Sequence, residues 1–426
     1  MGGRGAANLE STFEFGQRIS IASIGDSVPP PPGLQSADFK ASRAKFLASD
    51  VPGFDPVPWL PVLEGATYLE PRLLEVTETC SDLPMSRFSA PRSEAVEFAE
   101  LIDTAGRLHL ARPEEAPVGD RMNVLAVYKS ETVDRTVWDR RRRNCREAHL
   151  KGAASDLPGG YELCELEVPV GEKAFVFADD IADMYPTFIA PPERAVTNAM
   201  AVELAASECE HMKAFKRFAK VGGKADLSRQ AMRKLLGLHD SGADSSPTSK
   251  PRTLVPCAAS LVMGDLNAVD YATGAHESVL LHGGALPASS RLKHGQPVPR
   301  DHVMHALVID DHIGLASGKS SSGPRVRRMA SEFDAGTRAC TVAGLPQHPT
   351  KRVRAETDAI VLGAEVVDGS AIGSERVRRM FLALVSLTMV RHRRVNGALM
   401  RRLLASWTYC VCFVQTSFHV SVGRLF

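Results

Sequence analysis

The sequence predicts an α+β fold, on three observations. Two short apolar runs, Lys173 to Ala178 and Val303 to Ile309, read as buried strands, and each delivers a pair of acids to its tip, Asp179-Asp180 and Asp310-Asp311. Two further runs, Val124 to Tyr128 and Arg135 to Asp139, are joined by a polar turn and read as a hairpin with basic ends. Segments of helical period or composition lie between and after these strands. At 426 residues, with 44% hydrophobic and 24% charged, the chain can bury a sizeable core in two or three domains.

Taken in order, residues 1–56 are rich in Gly, Ser, Ala and Pro and read as a flexible extension, and 57–120 form an N-terminal region of unclear role. Within it Ser93 to Ile102 predicts a helix with Ser93 as N-cap. After the hairpin and the first acid-tipped strand, 191–236 is helical by composition with a break at Gly222-Gly223, and His239 to Pro251 is a polar loop. A segment over Cys257 to Met263 leads to Gly264 and to a helix opening at Asn267. Beyond Asp311, the stretch Gly314 to Pro324 reads as a loop, followed by a helix around Arg325 to Phe333 and a strand pair over Ala359 to Val367. Two amphipathic helices close the chain. Their apolar stripes, Val377, Met380, Phe381, Leu384 and Val385 in one and Met400, Leu403, Leu404 and Trp407 in the other, are expected in the core.

Charge and cysteine usage narrow the classes. The formal net charge is +1, yet Lys351 to Phe426 holds 12 Lys and Arg against 5 Asp and Glu, so a polyanion partner is expected to meet the C-terminal part. Eight cysteines are scattered without paired spacings, which predicts a reducing, intracellular setting, cytoplasm or nucleus. No run of 18 apolar residues occurs, so no membrane partner is expected. The run Gly314 to Ser320 has three residues between its glycines where a phosphate-binding loop needs four, which argues against an ATPase.

Two acid-tipped strands in one sheet could bring Asp180 and Asp310 together. Such carboxylates can hold a pair of divalent ions roughly 3.5–4 Å apart that activate a hydroxyl and stabilise charge on a phosphoryl centre. Magnesium suits an all-oxygen site of this kind. Two cations on the basic hairpin, opposite the acids, would suit a nucleoside triphosphate.

The same residues resemble the reverse transcriptases. Asp180 to Tyr185 is similar to their first palm motif, an Asp followed five positions later by an aromatic residue, and Val308 to Asp311 is similar to their x-x-Asp-Asp hairpin. Met263 to Val269 resembles the glycine loop and helix start beneath template and nucleotide, and Val361 to Gly363 resembles the Leu-Gly hairpin that grips the primer. Upstream, Arg135, Asp139, Arg141 and Asn144 resemble in spacing the fingers segment that meets the incoming triphosphate.

The resemblance implies a right-hand polymerase: fingers at 121–178, palm at 179–190 and 251–372 with an antiparallel sheet and helices on one face, a fingers-like helical insert at 191–250, and a thumb from 373 to 426 that is expected to be incomplete. It implies Asp180, Asp310 and Asp311 as catalytic metal carboxylates for Mg²⁺, with Mn²⁺ as a substitute. Lys129, Arg135, Arg141, Tyr185 and Gly264 would bind the nucleotide, Lys351 would be a general acid, and Leu362 and Gly363 the primer grip. Tyr185 would lie beneath the sugar and exclude a 2′-hydroxyl. The implied partners are an RNA or DNA template-primer and deoxynucleoside triphosphates. Asp179 competes with Asp180; the interval to Tyr185 favours Asp180. Departures from the family pattern at Val262, Met263, Val269 and Val308 keep open a second reading, a nucleic-acid-binding remnant without turnover.

Overall fold

The computed structural model describes residues 36–47, 51, 53–77, 83–221, 251–392 and 397–422. The proline run at 29–32, the Gly222-Gly223 break and the loop expected from His239 lie outside them. In chain order the strands are β1 (Ser36–Ala37), β2 (Leu108–Ala111), β3 (Asn123–Tyr128), β4 (Asp134–Asp139), β5 (Lys173–Asp180), β6 (Leu204–Ala205), β7 (Thr253–Ala258), β8 (Val303–Val308), β9 (Asp311–Gly318), β10 (Val353–Glu356), β11 (Ala359–Val361), β12 (Ala364–Val367) and β13 (Ala371–Ser374). The helices of eight residues or more are α1 (Val62–Leu69), α2 (Arg92–Thr104), α3 (Lys213–Val221), α4 (Ala268–His282), α5 (Pro324–Ala343), α6 (Arg376–His392) and α7 (Gly397–Val422).

A four-stranded antiparallel sheet in the order β10-β5-β9-β8 positions the acids. Alternation along each strand sends side chains to opposite faces. Phe175, Phe177 and Ala316 pack under α5 against Val326, Met329 and Phe333, and α4 lies beside α5. Ala174, Val176, Ile313 and Leu315 face the other way, toward Leu163, Val361, Ala364, Val366 and Phe413. One face is therefore covered by helices and the other by the small β11-β12-β13 sheet and part of α7. The predicted hairpin is β3–β4, extended by β1 on its outer edge, and β2-β7-β6 forms another three-stranded sheet. The mixed, antiparallel α+β class is as the sequence predicts.

The differences have physical causes. The stretch Gly314 to Gly318 is strand β9, not loop: a side chain at Gly314 would collide with Met329 and Phe333, so glycine here lets α5 approach the sheet closely. Residues 36–47 and 53–56 belong to the fold rather than to an extension, because Phe39 and Phe54 are buried against Phe98 and Phe188 and β1 pairs with β3. Residues 192–221 are short helical pieces and strand β6 rather than a long helix. Helix α2 starts at Arg92 after Pro91, so Ser93 sits inside the first turn and makes no cap. In α6 the packed side is Leu382 and Met389 with Val385 beside them, so of the expected core stripe only Val385 packs, while Val377, Met380, Phe381 and Leu384 are exposed. In α7 Leu403 is buried and Leu404 exposed. Cys145 is disulfide-bonded, unlike the free thiols expected throughout. No helix among the described residues is long and apolar enough to cross a membrane.

Candidate active site at the strand tips

Asp180 ends β5 and lies in register opposite Asp311, the first residue of β9; Asp310 immediately precedes Asp311 in the β8–β9 turn. That turn is tight enough to force Ile309 to a φ of 55°. The amide of Ile181 donates to the Asp310 carbonyl at 2.9 Å, and His276 Nδ1 lies 2.9 Å from the Ile309 carbonyl, so the tip is fastened on two sides. Directly opposed residues of an antiparallel pair point to the same face, and Asp180 and Asp311 share theirs.

Asp179 belongs to the opposite face. Arg354 binds it at 2.8 Å and Arg352 approaches at 3.5 Å, with the Arg354 guanidinium stacked 5.1 Å over Phe333. Its charge is thus met by arginines beneath α5, and Asp180, not Asp179, shares the face of Asp311.

The three tip carboxylates crowd one another. Burial, and then the charges of Asp310 and Asp180, push Asp311 up to about 6. Burial also raises Asp310, with Asp180 adding to the rise and Lys351 and Arg135 opposing it. Lys351 answers this charge: its Nζ donates to Asp180 Oδ2 at 2.7 Å, a bond that raises the lysine's own pKa. Among the described residues no set of three or more His, Cys, Asp or Glu side chains is arranged to hold a metal ion as it stands. The donor chemistry nonetheless fits one: three carboxylates crowd one another with one ammonium paired to Asp180, and their oxygens are hard ligands of the kind magnesium and manganese prefer.

The β3–β4 hairpin brings cations toward this cluster. Arg135, on β4, is exposed and near enough to stabilise the charged form of Asp310. Lys129 follows β3; burial and then the adjacent Lys45 lower its pKa. Lys45, which pairs with Asp183, was missed by sequence reasoning because it lies in the stretch set aside as an extension. Phe46 and Leu47 beside it were the available signal of packing. Arg141 is not delivered to the carboxylates: it makes a bidentate pair with Asp139, 2.7 Å in each arm, two residues earlier in its own segment.

Tyr185 lies in the one-turn helix Met184–Thr187 after β5, and burial followed by the charges of Asp310 and Asp265 raises its phenol. Gly264 has a φ of 117°, and a side chain there would strike the Trp138 carbonyl, so only glycine fits. Its loop is sewn to the basic segment: Trp138 N donates to Met263 O at 2.9 Å and Asn144 Nδ2 to Gly264 O at 2.8 Å. Beneath the loop, buried Asp265 pairs with Arg140 at 2.9 Å and Arg194 at 3.3 Å, while Arg140 also holds Glu147 at 3.0 Å. Leu362 and Gly363 are the two central residues of the β11–β12 turn, both at positive φ. Leu362 packs into the cluster with Leu163 and Val366, its carbonyl lies against Gly160, and the Tyr409 hydroxyl of α7 donates to that carbonyl at 3.0 Å; none of these contacts is with the carboxylates.

No family model and no curated protein matches the sequence. Among solved structures the chain is similar to a foamy viral protease-reverse transcriptase dRH in complex with ds DNA, with a TM-score of 0.47 and 9% identity over 79% of this chain and 43% of that one. It is also similar to the foamy viral protease-reverse transcriptase in complex with RNA/DNA hybrid, with a TM-score of 0.42 and 12% identity over 73% of this chain and 31% of that one. The chain spans less than half the length of either structure.

Proposed function

We propose that the protein is a template-directed nucleotidyl transferase that extends a primer 3′-hydroxyl with deoxynucleotides on an RNA or DNA template. The observation that carries this reading is the register of β5 on β9, which sets Asp180 opposite Asp311, beside Asp310, with the basic hairpin on the same side. Asp180, Asp310 and Asp311 are the residues that would hold Mg²⁺ or Mn²⁺, which supplies Lewis-acid activation of the hydroxyl and neutralises phosphoryl charge.

Lys129, Arg135 and Lys45 offer a triphosphate three cations from two separate segments. Tyr185, half-buried next to Asp310, presents a ring where a sugar would lie, and Gly264 keeps the loop above Asp265 low. Arg141 would reach a phosphate only by leaving Asp139. In this reading 121–178 act as fingers, 179–190 and 251–372 as palm, and the helices from 373 as a thumb whose arginines meet duplex phosphates, with Leu362-Gly363 toward the primer.

The test is primer extension by purified protein with either ion. Templated addition that falls to background in Asp310→Asn is expected. Protein that binds primer–template and adds no nucleotide with Mg²⁺ or Mn²⁺ would instead support the second reading, a binding protein without turnover.

A further inference from the structure

We propose that Lys351 is a built-in counter-ion of the carboxylate cluster, occupying Asp180 in the metal-free protein so that an entering divalent cation must displace its ammonium. This inference rests on the proposed reading of the cluster as a metal site. Three observations support it. The ammonium is within 2.7 Å of Asp180 Oδ2, a ligand oxygen under that reading, and all three tip carboxylates attract it. Lys351 immediately precedes Arg352 and β10, whose Val353 pairs with Ala178, so the backbone holds the lysine beside the end of β5. Its side chain is 56% exposed, so the ammonium can swing into water without leaving a buried charge behind.

The neighbouring basic residues do not share this position. Arg352 and Arg354 turn to Asp179 on the helix-covered face, and Arg135 and Lys129 belong to the hairpin. Lys351 alone among the described residues is ion-paired to Asp180, as a monovalent cation held by one half-exposed contact. Such a pair is weak. It therefore sets a threshold for metal entry rather than a barrier to it, and it keeps Asp180 from facing Asp310 and Asp311 without a cation.

Metal binding itself, not turnover, tests this. Mn²⁺ titrations of the metal-stripped, full-length protein without nucleic acid, read by electron paramagnetic resonance of the free ion, compare wild type with Lys351→Met, Lys351→Arg, Asp180→Asn and Asp310→Asn. Lys173→Met, at the far end of β5 and paired with Asp368, controls for a general loss of positive charge. Lys351→Met is expected to bind Mn²⁺ about three- to tenfold more tightly, since it removes both the competitor and a repelling charge. Lys351→Arg should retain the wild-type affinity, Lys173→Met should change nothing, and both Asp variants should bind more weakly. Unchanged or weaker binding by Lys351→Met, or equal tightening by Lys173→Met, overturns the counter-ion role while leaving the metal site standing. Wild-type affinity in both Asp180→Asn and Asp310→Asn overturns the metal-site reading, and the counter-ion role with it.

Discussion

His276 shows how a single side chain fastens the site from behind. It is fully buried in α4, its ring donates to the Ile309 carbonyl, and burial lowers its pKa to about 4. His109 is lowered to about 4 by burial as well. An unfolded histidine titrates near 6.5, so as pH falls from about 6.5 to 4 the unfolded chain takes up protons that the folded one refuses. The stability that these two histidines contribute is full above that window and is lost progressively down through it. Asp311, raised to about 6, works the other way in this window because its folded carboxyl takes up a proton before the unfolded one does. The test is therefore a difference: in denaturant melts across pH 7 to 4, His276→Gln, which can still donate to Ile309, should lose less stability than wild type as pH falls, and an identical slope in the variant would show that His276 is not a source. The site's acids were legible in the sequence because an apolar run that stops at carboxylates has one physical reading, a strand tip. Asp180 could be separated from Asp179 only by the family interval, and the alternation of β5 supplies the physical reason. For Lys45, the neighbouring Phe46 and Leu47 signal packing, but the partner Asp183 is 138 positions away, so the ion pair itself is not legible.

At the scale of elements, α6 illustrates what periodicity does and does not determine. The spacing of Val377, Met380, Phe381 and Leu384 establishes a helix, but the side that α7 covers is the one carrying Leu382 and Met389. Two apolar stripes on one helix cannot be ranked without the neighbour. Leu382→Ala and Met389→Ala should each cost about 2 kcal/mol or more of unfolding free energy. Met380→Gln and Leu384→Gln should stay within about 0.5 kcal/mol of wild type. Equal losses on both faces in denaturant melts would mean that the exposed side is packed in solution. Strand β9 was hidden for a related reason: Gly314, Ser317 and Gly318 have loop composition, and only the closeness of α5 makes small residues a requirement of that strand.

At the scale of the molecule, the buried Asp265 network joins segments that no local pattern connects. Arg140 leaves the basic hairpin and Arg194 comes from the segment after β5. Arg194 also lies 4.9 Å from the Tyr68 ring of α1 and 4.6 Å from the Tyr271 ring of α4. All meet at one carboxylate next to Gly264. Asp265→Ala would leave two guanidiniums buried with less negative charge than they need, and should cost about 3–5 kcal/mol, measured by denaturant unfolding. The same change should loosen the Gly264 loop from Trp138, so any extension activity should fall with it. A loss under about 1 kcal/mol would mean that Glu147 and the rings suffice to hold the arginines. Only the family resemblance set the hairpin and the Gly264 loop side by side, and nothing local gave a sign of the ion pairs that lock them together.

The paired acids of β5 also bear on how this chain tolerates insertions and deletions. Deleting one residue between Lys173 and Ala178 would still leave an aspartate at the strand tip, so the motif would survive in the text of the sequence. The deletion would nevertheless exchange the two faces: the carboxylate that pairs with Arg354 would be sent toward Asp311, and phenylalanines that fit under α5 would be turned toward β11 and β12. The second aspartate is therefore no spare copy of the first: an indel of an odd number of residues in this strand exchanges its faces, whereas one of two residues keeps them.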